Sequence, residues 1–468
     1  MDFTHKNTIV QISKYKKSLV DGDIKTELSL SEILNSNEFQ DIIADCREYR
    51  ERVYTPTKTL FMFIKQVLNA DKSCRRAVAS AVGEQIIIGG KKISSNTGPY
   101  CKARQRLPEA TVKTLMQQTG ASSSNKSLKQ WKIFNREVKL LDGLVITMPD
   151  TKENQDEYPQ HGAQKAGIGF PMARLVAIMS LTVGTVLDYA IGAHKGKGTG
   201  EHSLLRQIFS CINKDDIVLG DCYYPSFFLM ADLKNSGADG IFHAHAHRNY
   251  DFRSGERLGK YDHIANWVKP ARPKWMSKKI YHSYPSTLRV REFKVAGKIY
   301  VTTLLSAKKY NKKELAGVYQ LRWHVEINIK HIKTTMGMDM LSCKTPDMIR
   351  KEIGIHFLAY NIIRIMMAEA CRKHDFMPNK ISFKATVQLL GAMTPYSISN
   401  DVSKNQLMYA RLLEEIVKHK VGNRPGRSEP RAVKRRPKPF QRLKNPRNIE
   451  KIRLARKMEK GMMLDACA

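Results

Sequence analysis

The sequence is poor in acidic residues and contains no cysteine pair of the kind that holds zinc. Its 468 residues include 44 Asp and Glu against 79 Lys and Arg, which gives a formal net charge of +35. None of its eight cysteines belongs to a Cys-x-x-Cys pair, and their scatter is typical of reduced, intracellular thiols. The N-terminus lacks the apolar core of a signal peptide. We therefore expect a cytoplasmic protein with a polyanionic partner: DNA, RNA or an anionic membrane surface.

No apolar run is long and continuous enough to predict a membrane span. The most apolar stretch, Leu175 to Ala193, contains Asp188 and is divided at Gly184-Thr185 into two halves of strand length. We interpret it as a β-hairpin. Hydrophobic residues make up 42% of the chain, which is enough for substantial cores.

Residues 1–135 are predicted to be mainly helical, because apolar residues in segments such as PTKTLFMFIKQVLNA recur at helical spacing. We interpret this part as an N-terminal DNA-binding region. The serine-rich segment ASSSNKS, 121–127, is predicted to be a linker to the next domain.

From residue 136 the pattern changes to apolar, β-branched segments of strand length. Three strands are predicted first, followed by a helix, a strand, a helix and a strand. This order predicts an α/β fold with an RNase H-like catalytic core, a mixed sheet flanked by helices, over 136–345. A β-rich insertion is predicted at about 248–305, a C-terminal helical region at 346–421 and a basic tail at 422–468, which suits an extended arm on DNA.

The segment 311–338, predicted as one helix, carries a line of polar side chains. Tyr319, Arg322, Glu326 and Lys333 fall within a sector about 60° wide at about 100° per residue. An apolar stripe lies beside them. An acid flanked by cations and a phenol suits a phosphate backbone with a metal bound against it. The simpler interpretation is a salt bridge between Arg322 and Glu326 on a solvated helix face.

Two aspartates occur in or at apolar strands. Asp142 lies inside one predicted strand and Asp221 ends another. Each can be a simple turn residue, but a charge in an apolar strand is otherwise costly to bury, and oxygen ligands from two strands and a helix suit Mg²⁺. Asp150 is a rival first carboxylate that the pattern places in a loop.

These pieces together resemble a known family. The spacing Tyr-x2-Arg-x3-Glu-x6-Lys, present as YQLRWHVEINIKHIK, resembles the YREK signature of bacterial DDE transposases of the insertion-sequence-four family, which are RNase H-like. LLDGL, GDCYYPSFF, the N-terminal YRERVYTPTKTL and the basic tail are also similar to this family, in the same order. One departure is that Asp221 is followed by Cys-Tyr-Tyr, where the family commonly has Arg and a small residue.

The resemblance implies a DNA transposase that cleaves the inverted-repeat ends of an insertion sequence and joins them to target DNA. Asp142, Asp221 and Glu326 would be the catalytic triad and the ligands of Mg²⁺, with Mn²⁺ as a substitute. Tyr319, Arg322, Lys333 and Lys330 would contact double-stranded DNA, and a homodimer would hold both ends, with no membrane partner. Two alternatives stay open: a non-catalytic DNA-binding protein or decayed copy, and an RNase H-like nuclease without strand transfer.

Three further features have competing interpretations. Trp267 and Trp275, in the β-rich insertion, are either packing residues or aromatics that stack on a base flipped from the DNA end, as the resemblance suggests. HAHAHR places His243, His245 and His247 on one strand face, which favours phosphate contact or a solvated face over a metal site. GKGTG lacks the spacing of a phosphate loop and is interpreted as the turn before a helix.

Overall fold

One mixed sheet of nine strands organises the protein. The computed structural model describes residues 53–87, 89–125, 127–245, 248–393, 402–422 and 445–459. The strands are β1 Val138–Thr147, β2 Met172–Ser180, β3 Val186–Ala193, β4 Ile217–Gly220, β5 Asp239–His243, β6 Glu256–Gly259, β7 Asp262–Val268, β8 Thr287–Val295 and β9 Lys298–Thr302. Their order across the sheet is β3-β2-β1-β4-β5-β9-β8-β7-β6.

Helices precede, interrupt and follow the sheet. The α-helices are α1 Pro56–Leu68, α2 Cys74–Ile87, α3 Gly98–Arg106, α4 Glu109–Asn125, α5 Lys152–Glu157, α6 Glu201–Gln207, α7 Phe227–Asn235, α8 Lys278–Ser283, α9 Lys312–Gln320, α10 Trp323–Lys330, α11 Pro346–Lys373, α12 Phe383–Met393, α13 Val402–Lys418 and α14 Arg447–Glu459. A π-helical segment, His331–Thr335, continues α10. Short 3-10 turns lie at Lys129–Trp131, Phe209–Cys211 and Pro378–Lys380.

The alternation of apolar side chains along β1 and β2 explains why the sheet carries a layer on each face. Leu140 and Leu175 belong to one hydrophobic cluster, which also contains residues of α1, α4, α10, α11 and α13. Leu141 and Val176, their neighbours, belong to a second cluster with α6 and α7 on the other face. The prediction of a mixed α/β protein with helices flanking the sheet is therefore confirmed.

The first five strands follow the predicted order. β1 pairs antiparallel with β2 and parallel with β4, and β4 pairs parallel with β5. The apolar stretch Leu175 to Ala193 is the hairpin β2–β3, in which Leu175 lies opposite Ile191. Its turn needs a glycine, because Gly184 has a φ of 85°.

The β-rich part between β5 and α9 is continuous with the central sheet. β9 pairs antiparallel with β5 through Ile241 and Thr302, and β8, β7 and β6 extend the sheet outward from β9. The insertion predicted at about 248–305 therefore adds four strands to the edge of the core sheet.

The predicted linker at 121–127 is wrong, because α4 continues through it to Asn125. Gly120 and Ser123 are small because the helix lies close to the sheet: a Cβ at Gly120 would be 2.2 Å from the carbonyl oxygen of Val186. Ser123 Oγ lies 3.2 Å from Thr185 Oγ1, and both side chains are buried. Small polar residues allow close packing here.

The helices that precede the sheet and those that follow it share the larger cluster. Leu60 of α1, Leu115 of α4 and Ile363 of α11 are buried members of it, and α11 packs against both α1 and α4. By length and composition α11 is apolar enough to cross a membrane, but 94% of its apolar window is buried inside the protein. It is a core helix.

Part of the predicted basic tail forms a helix. α14 begins at Arg447, whose Nε donates a 2.6 Å hydrogen bond to Asp150. The prediction of an extended arm is therefore wrong for this part. Residues 1–52 of the predicted N-terminal region and 423–444 and 460–468 of the tail lie outside the described residues.

Candidate active site

Asp142 and Asp221 come together because they extend two neighbouring parallel strands. β1 and β4 are paired so that Leu140 lies level with Leu219. Continuing this register by two residues brings Asp142 level with Asp221, which follows β4 directly. Asp142 shares a strand face with Leu140, two residues earlier, and therefore lies on the face covered by α10.

The environment of Asp142 opposes its negative charge. The pKa of its carboxyl group is raised to about 6, mainly by burial. The charges of Asp221 and Glu201 raise this pKa, whereas the N–H of Gly143, donating at 2.8 Å, and the charge of Arg322 lower it. A bound cation would relieve the repulsion between partly buried carboxylates, so this arrangement favours cation binding.

Asp221 is held by the turn that follows it. Its Oδ1 accepts a 2.8 Å hydrogen bond from the N–H of Tyr223, and the N–H of Tyr224 donates to its carbonyl oxygen at 3.3 Å. Ser226 then caps α7 by accepting from the N–H of Leu229 at 3.2 Å. Cys222 and Tyr223, the residues that depart from the family pattern, are exposed.

The helix predicted over 311–338 is interrupted twice, so the prediction of one continuous helix is wrong. At the junction of α9 and α10, the N–H groups of Leu321 and Arg322 donate to carbonyls three residues back. In the π-helical segment, Met336 N–H donates to the carbonyl of His331, five residues back. Each change rotates the residues that follow, so the sector calculated at about 100° per residue does not describe the site.

The apolar stripe of the same segment is confirmed. Val318, Val325, Ile332 and Met336 are all buried, whereas Leu321 and Ile329, which also belong to the predicted stripe, are partly buried. They belong to the cluster between the sheet and the helical layer, which fixes the segment across β1. The sequence pattern therefore gave the buried side of the segment correctly, although its hydrogen bonding is irregular.

Arg322 and Glu326 form an ion pair across one turn of helix. Arg322 Nη2 donates to Glu326 Oε1 at 2.5 Å, with both side chains partly buried. Burial lowers the pKa of Arg322, but the hydrogen bond that it donates to Glu326 and the charges of Glu326 and Asp142 raise this pKa by more, so the net direction is upward. The predicted salt bridge is thus present, and Arg322 acts electrostatically on Asp142 as well.

The remaining signature residues have different environments. Tyr319 is half-buried, its ring stacks on His243 with 6.0 Å between centroids, and burial raises its pKa to about 12. Lys333 Nζ donates to the carbonyl of Val145 at 3.0 Å, which joins the π-helical segment to β1. Lys330 is exposed.

The acids only partly fit a metal site as they stand. Among the described residues, no three His, Cys, Asp or Glu side chains come together as a ready metal site. Asp142 and Asp221 are neighbours, but Glu326 is turned toward Arg322. Asp142 and Asp221 are hard oxygen donors of the kind Mg²⁺ prefers, and their repulsion suits a cation.

Sequence analysis missed a fourth carboxylate at this site. Glu201, the first residue of α6, acts electrostatically on Asp142 and accepts a 3.0 Å hydrogen bond from the hydroxyl of Tyr224. The turn GKGTG before it is confirmed as the start of a helix, with Gly200 as the N-cap. That turn could have indicated Glu201 as a site residue, since it places a glutamate shortly after the end of β3.

The two tryptophans differ in exposure. Trp267 in β7 is 4% exposed, its Nε1 donates to Glu292 at 2.7 Å, and the guanidinium of Arg248 lies 3.5 Å from its ring centroid. Its ring therefore has no face open to a base, which corrects the prediction for this residue. Trp275 is 54% exposed.

Trp275 borders a cavity of about 210 Å³ next to the turn that carries Asp221. Arg206 of α6 lies 3.8 Å from its ring centroid, and Phe228 of α7 contacts it edge-on at 6.2 Å. The cavity is lined by residues that include His202, Arg206, Ser226, Phe228, Asp232 and Trp275.

Other candidates have structural partners. Asp150, the rival first carboxylate, accepts hydrogen bonds from Arg447 and Gln155. His243 packs against Tyr319 and Tyr300. His247 lies outside the described residues.

Comparisons with known proteins find transposases. The model of the transposase DDE domain matches residues 134–362, which include all three predicted acids. Transposase InsG for insertion sequence element IS4 of Escherichia coli (strain K12) is 25% identical over 364 residues, covering 75% of this chain and 79% of the relative. The transposase for insertion sequence element IS421 of Escherichia coli is 28% identical over 76 residues, covering 16% and 20%.

Among solved structures, the piggyBac transposase synaptic complex with hairpin DNA superimposes with a TM-score of 0.43 and 8% identity, covering 85% of this chain and 86% of that chain. The assignment depends on the domain match and on the long alignment with the IS4 relative. The chain is a DNA transposase with a DDE domain, and it is similar over three quarters of its length to the transposase of insertion sequence element IS4.

Proposed function

We propose that this transposase cleaves the inverted-repeat ends of an insertion sequence and joins them to target DNA at Asp142, Asp221 and Glu326. The observation that carries the proposal is the level placement of Asp142 and Asp221 on adjacent parallel strands beneath α10. We infer that β1–β5 with their flanking helices form an RNase H-like core, because this strand order is the one the family resemblance implies.

The roles follow from where each side chain lies. Asp142 and Asp221 would hold Mg²⁺ or Mn²⁺, and Glu326 would complete the ligands once DNA phosphate replaces it at Arg322. A bound divalent cation supplies positive charge that stabilises the phosphate oxygens as the bond is exchanged. Tyr319, Arg322, Lys330 and Lys333 would position the DNA backbone.

The partners proposed are double-stranded DNA at the element ends, target DNA and a second copy of the chain. The net charge of +35 supports a DNA partner. The proposed place of the reaction is the cytoplasm. Two copies would allow both ends to be held and joined together. Sedimentation of the protein with and without end DNA tests this, with a protein–DNA mass of one chain as the contradicting result.

The decisive experiment compares Asp142→Asn, Asp221→Asn and Glu326→Gln on duplexes carrying the DNA that flanks the gene, with Mg²⁺. We expect DNA binding to persist and cleavage to be lost. Asp215→Asn is the matched control, because Asp215 is exposed and its φ of 67° is one that Asn also adopts. Near-parental cleavage by any of the three variants would remove that residue from the triad.

A second substrate separates transposition from simple cleavage. A duplex with a pre-cut 3′-hydroxyl end should be joined to plasmid DNA by the unmodified protein. Cutting without joining would identify a nuclease, and binding without either reaction would identify a non-catalytic copy.

A further inference from the structure

Glu201 occupies a space that exists because residue 143 is glycine. A Cβ at Gly143 would lie 2.6 Å from Cδ and from Oε1 of Glu201, so an added side chain would displace the carboxylate from its present position. Gly143 directly follows Asp142, and consecutive residues of a strand face opposite sides. The carboxylate of Glu201 therefore lies against the back of β1, behind Asp142.

Tyr224 holds this carboxylate and uses a second glycine. Its hydroxyl donates to Glu201 Oε2 at 3.0 Å, and the ring is fully buried. A Cβ at Gly220 would lie 2.9 Å from Cδ2 of Tyr224, so the ring packs against the residue that precedes Asp221. The glycines beside the two aspartates thus make room for one hydrogen-bonded tyrosine–glutamate pair that spans β1 and β4.

The charge of Glu201 is not balanced by a cationic side chain among the described residues. Among the described residues no lysine, arginine or histidine forms an ion pair with it. Its charge instead acts on Asp142, in the same direction as the charge of Asp221. A carboxylate kept near two others at the expense of repulsion is expected where the cluster serves a cation.

We propose that Glu201 is a positioning residue of the active site, which together with Tyr224 fixes the separation of Asp142 and Asp221 and increases their affinity for a divalent cation. This inference rests on the proposed function, since it assumes that the two aspartates hold the cation.

The test is Mn²⁺ binding by calorimetry to the full-length, DNA-free protein. Glu201→Gln keeps an acceptor for Tyr224 but loses the charge, and we expect its Mn²⁺ Kd to increase about tenfold, as for outer residues of metal sites. Glu201→Asp should recover part of the affinity. Glu153→Gln removes an equal charge from the exposed helix α5 and should bind as the parent does.

The outcomes separate this inference from the proposed function. Parental Mn²⁺ affinity in Glu201→Gln, together with lost binding in Asp142→Asn, would overturn the role of Glu201 alone. Retained Mn²⁺ binding in Asp142→Asn would overturn the proposed cation site as well.

A double-mutant cycle tests the geometry without relying on the metal. Gly143→Ala should lower the Tm of the parent because its methyl group meets Glu201. The same substitution should have a clearly smaller effect in Glu201→Ala, where the space is vacated. Equal effects in both backgrounds would show that Glu201 does not pack against residue 143.

Discussion

Arg322 holds the carboxylate of Glu326 with a 2.5 Å hydrogen bond, while its charge also acts on Asp142 across the site. One guanidinium thus partly neutralises carboxylates from two different elements, α10 and β1. This arrangement connects Glu326 with Asp142 through one cation, and it offers DNA phosphate a donor that matches its geometry.

The first prediction follows from this pairing. Arg322→Ala should lower the single-turnover cleavage rate about 100-fold, the scale of losing one charge-stabilising donor. Arg322→Lys should recover only part of the rate, because lysine cannot form the two-pronged contact. The exposed pair of Arg253 with Asp251 provides the control: Arg253→Ala should cleave normally. A normal rate in Arg322→Ala would limit Arg322 to a helix salt bridge.

The sequence was sufficient to predict that Asp142 and Asp221 lie level with each other. β1 and β4 are apolar runs separated by the hairpin β2–β3 and the helices α5 and α6, and parallel neighbours of this kind align their carboxyl ends. The irregular hydrogen bonding after Arg322 could not be predicted from the sequence. Its π-helical turn is accompanied by contacts with residues distant in the chain, such as that of Lys333 with Val145.

Long-range packing also explains the other differences. Glu201 packs against Gly143, which precedes it by more than fifty residues in the chain. No local sequence pattern indicates a contact between residues so far apart. Trp267 and Trp275 occur in the same basic stretch. Only the pairing of β7 with β8, which brings Trp267 to Glu292, distinguishes the buried ring from the exposed one.

The second prediction concerns stability and pH at Asp142. Since its pKa is about 6 in the folded protein and lower when unfolded, the folded state binds more protons between these values. The carboxylate should therefore destabilise the protein increasingly as pH rises from about 4 to about 6. Asp142→Asn should increase the free energy of unfolding at pH 7.5 in EDTA by roughly 1–3 kcal/mol.

At pH 4 the same variant should unfold like the parent, because Asp142 is then protonated in the folded protein. Urea denaturation at the two pH values measures the difference, with Asp215→Asn as the control. Lower stability of Asp142→Asn at pH 7.5 would contradict an unfavourable charge at this position.

The third prediction distinguishes the roles of Lys330 in α10 and Lys333 in the π-helical segment. Lys330 is exposed, so Lys330→Ala should leave the Tm unchanged and reduce the slope of log K against log salt by about 0.9, the effect of one phosphate contact. Lys333→Ala should also lower stability by about 1 kcal/mol, since it removes the hydrogen bond to Val145. An unchanged salt slope in Lys330→Ala would place that residue outside the DNA contact.

The fourth prediction concerns the basic tail. Deleting residues 423–468 removes many cations and the ion pair of Arg447 with Asp150. The salt dependence of DNA binding should become clearly shallower, because fewer counterions are released. Asp150→Asn removes the ion pair alone and should leave the slope unchanged. Equal slopes for the full-length and shortened proteins would show that the tail does not contact DNA.

The last prediction concerns Trp275 and the second step of DNA cleavage. A base that leaves its stack recovers free energy on an exposed aromatic ring, and Trp275 offers one face beside a cavity of about 210 Å³ near Asp221. Trp275→Ala should nick the element end at the parental rate and slow second-strand release at least tenfold, a loss expected from about 1–3 kcal/mol of base stacking. Trp275→Phe should be intermediate.

Trp267→Ala supplies the contrast, because Trp267 is buried and hydrogen-bonded to Glu292. Its truncation should lower the free energy of unfolding by about 3–5 kcal/mol. Trp275→Ala, by comparison, should keep the parental Tm to within a few degrees. A 2-aminopurine placed at the terminal base pairs reports unstacking directly, since its fluorescence rises when the base leaves the duplex. If Trp275→Ala gives the parental fluorescence change and completes double-strand release at the parental rate, Trp275 has no part in holding a flipped base.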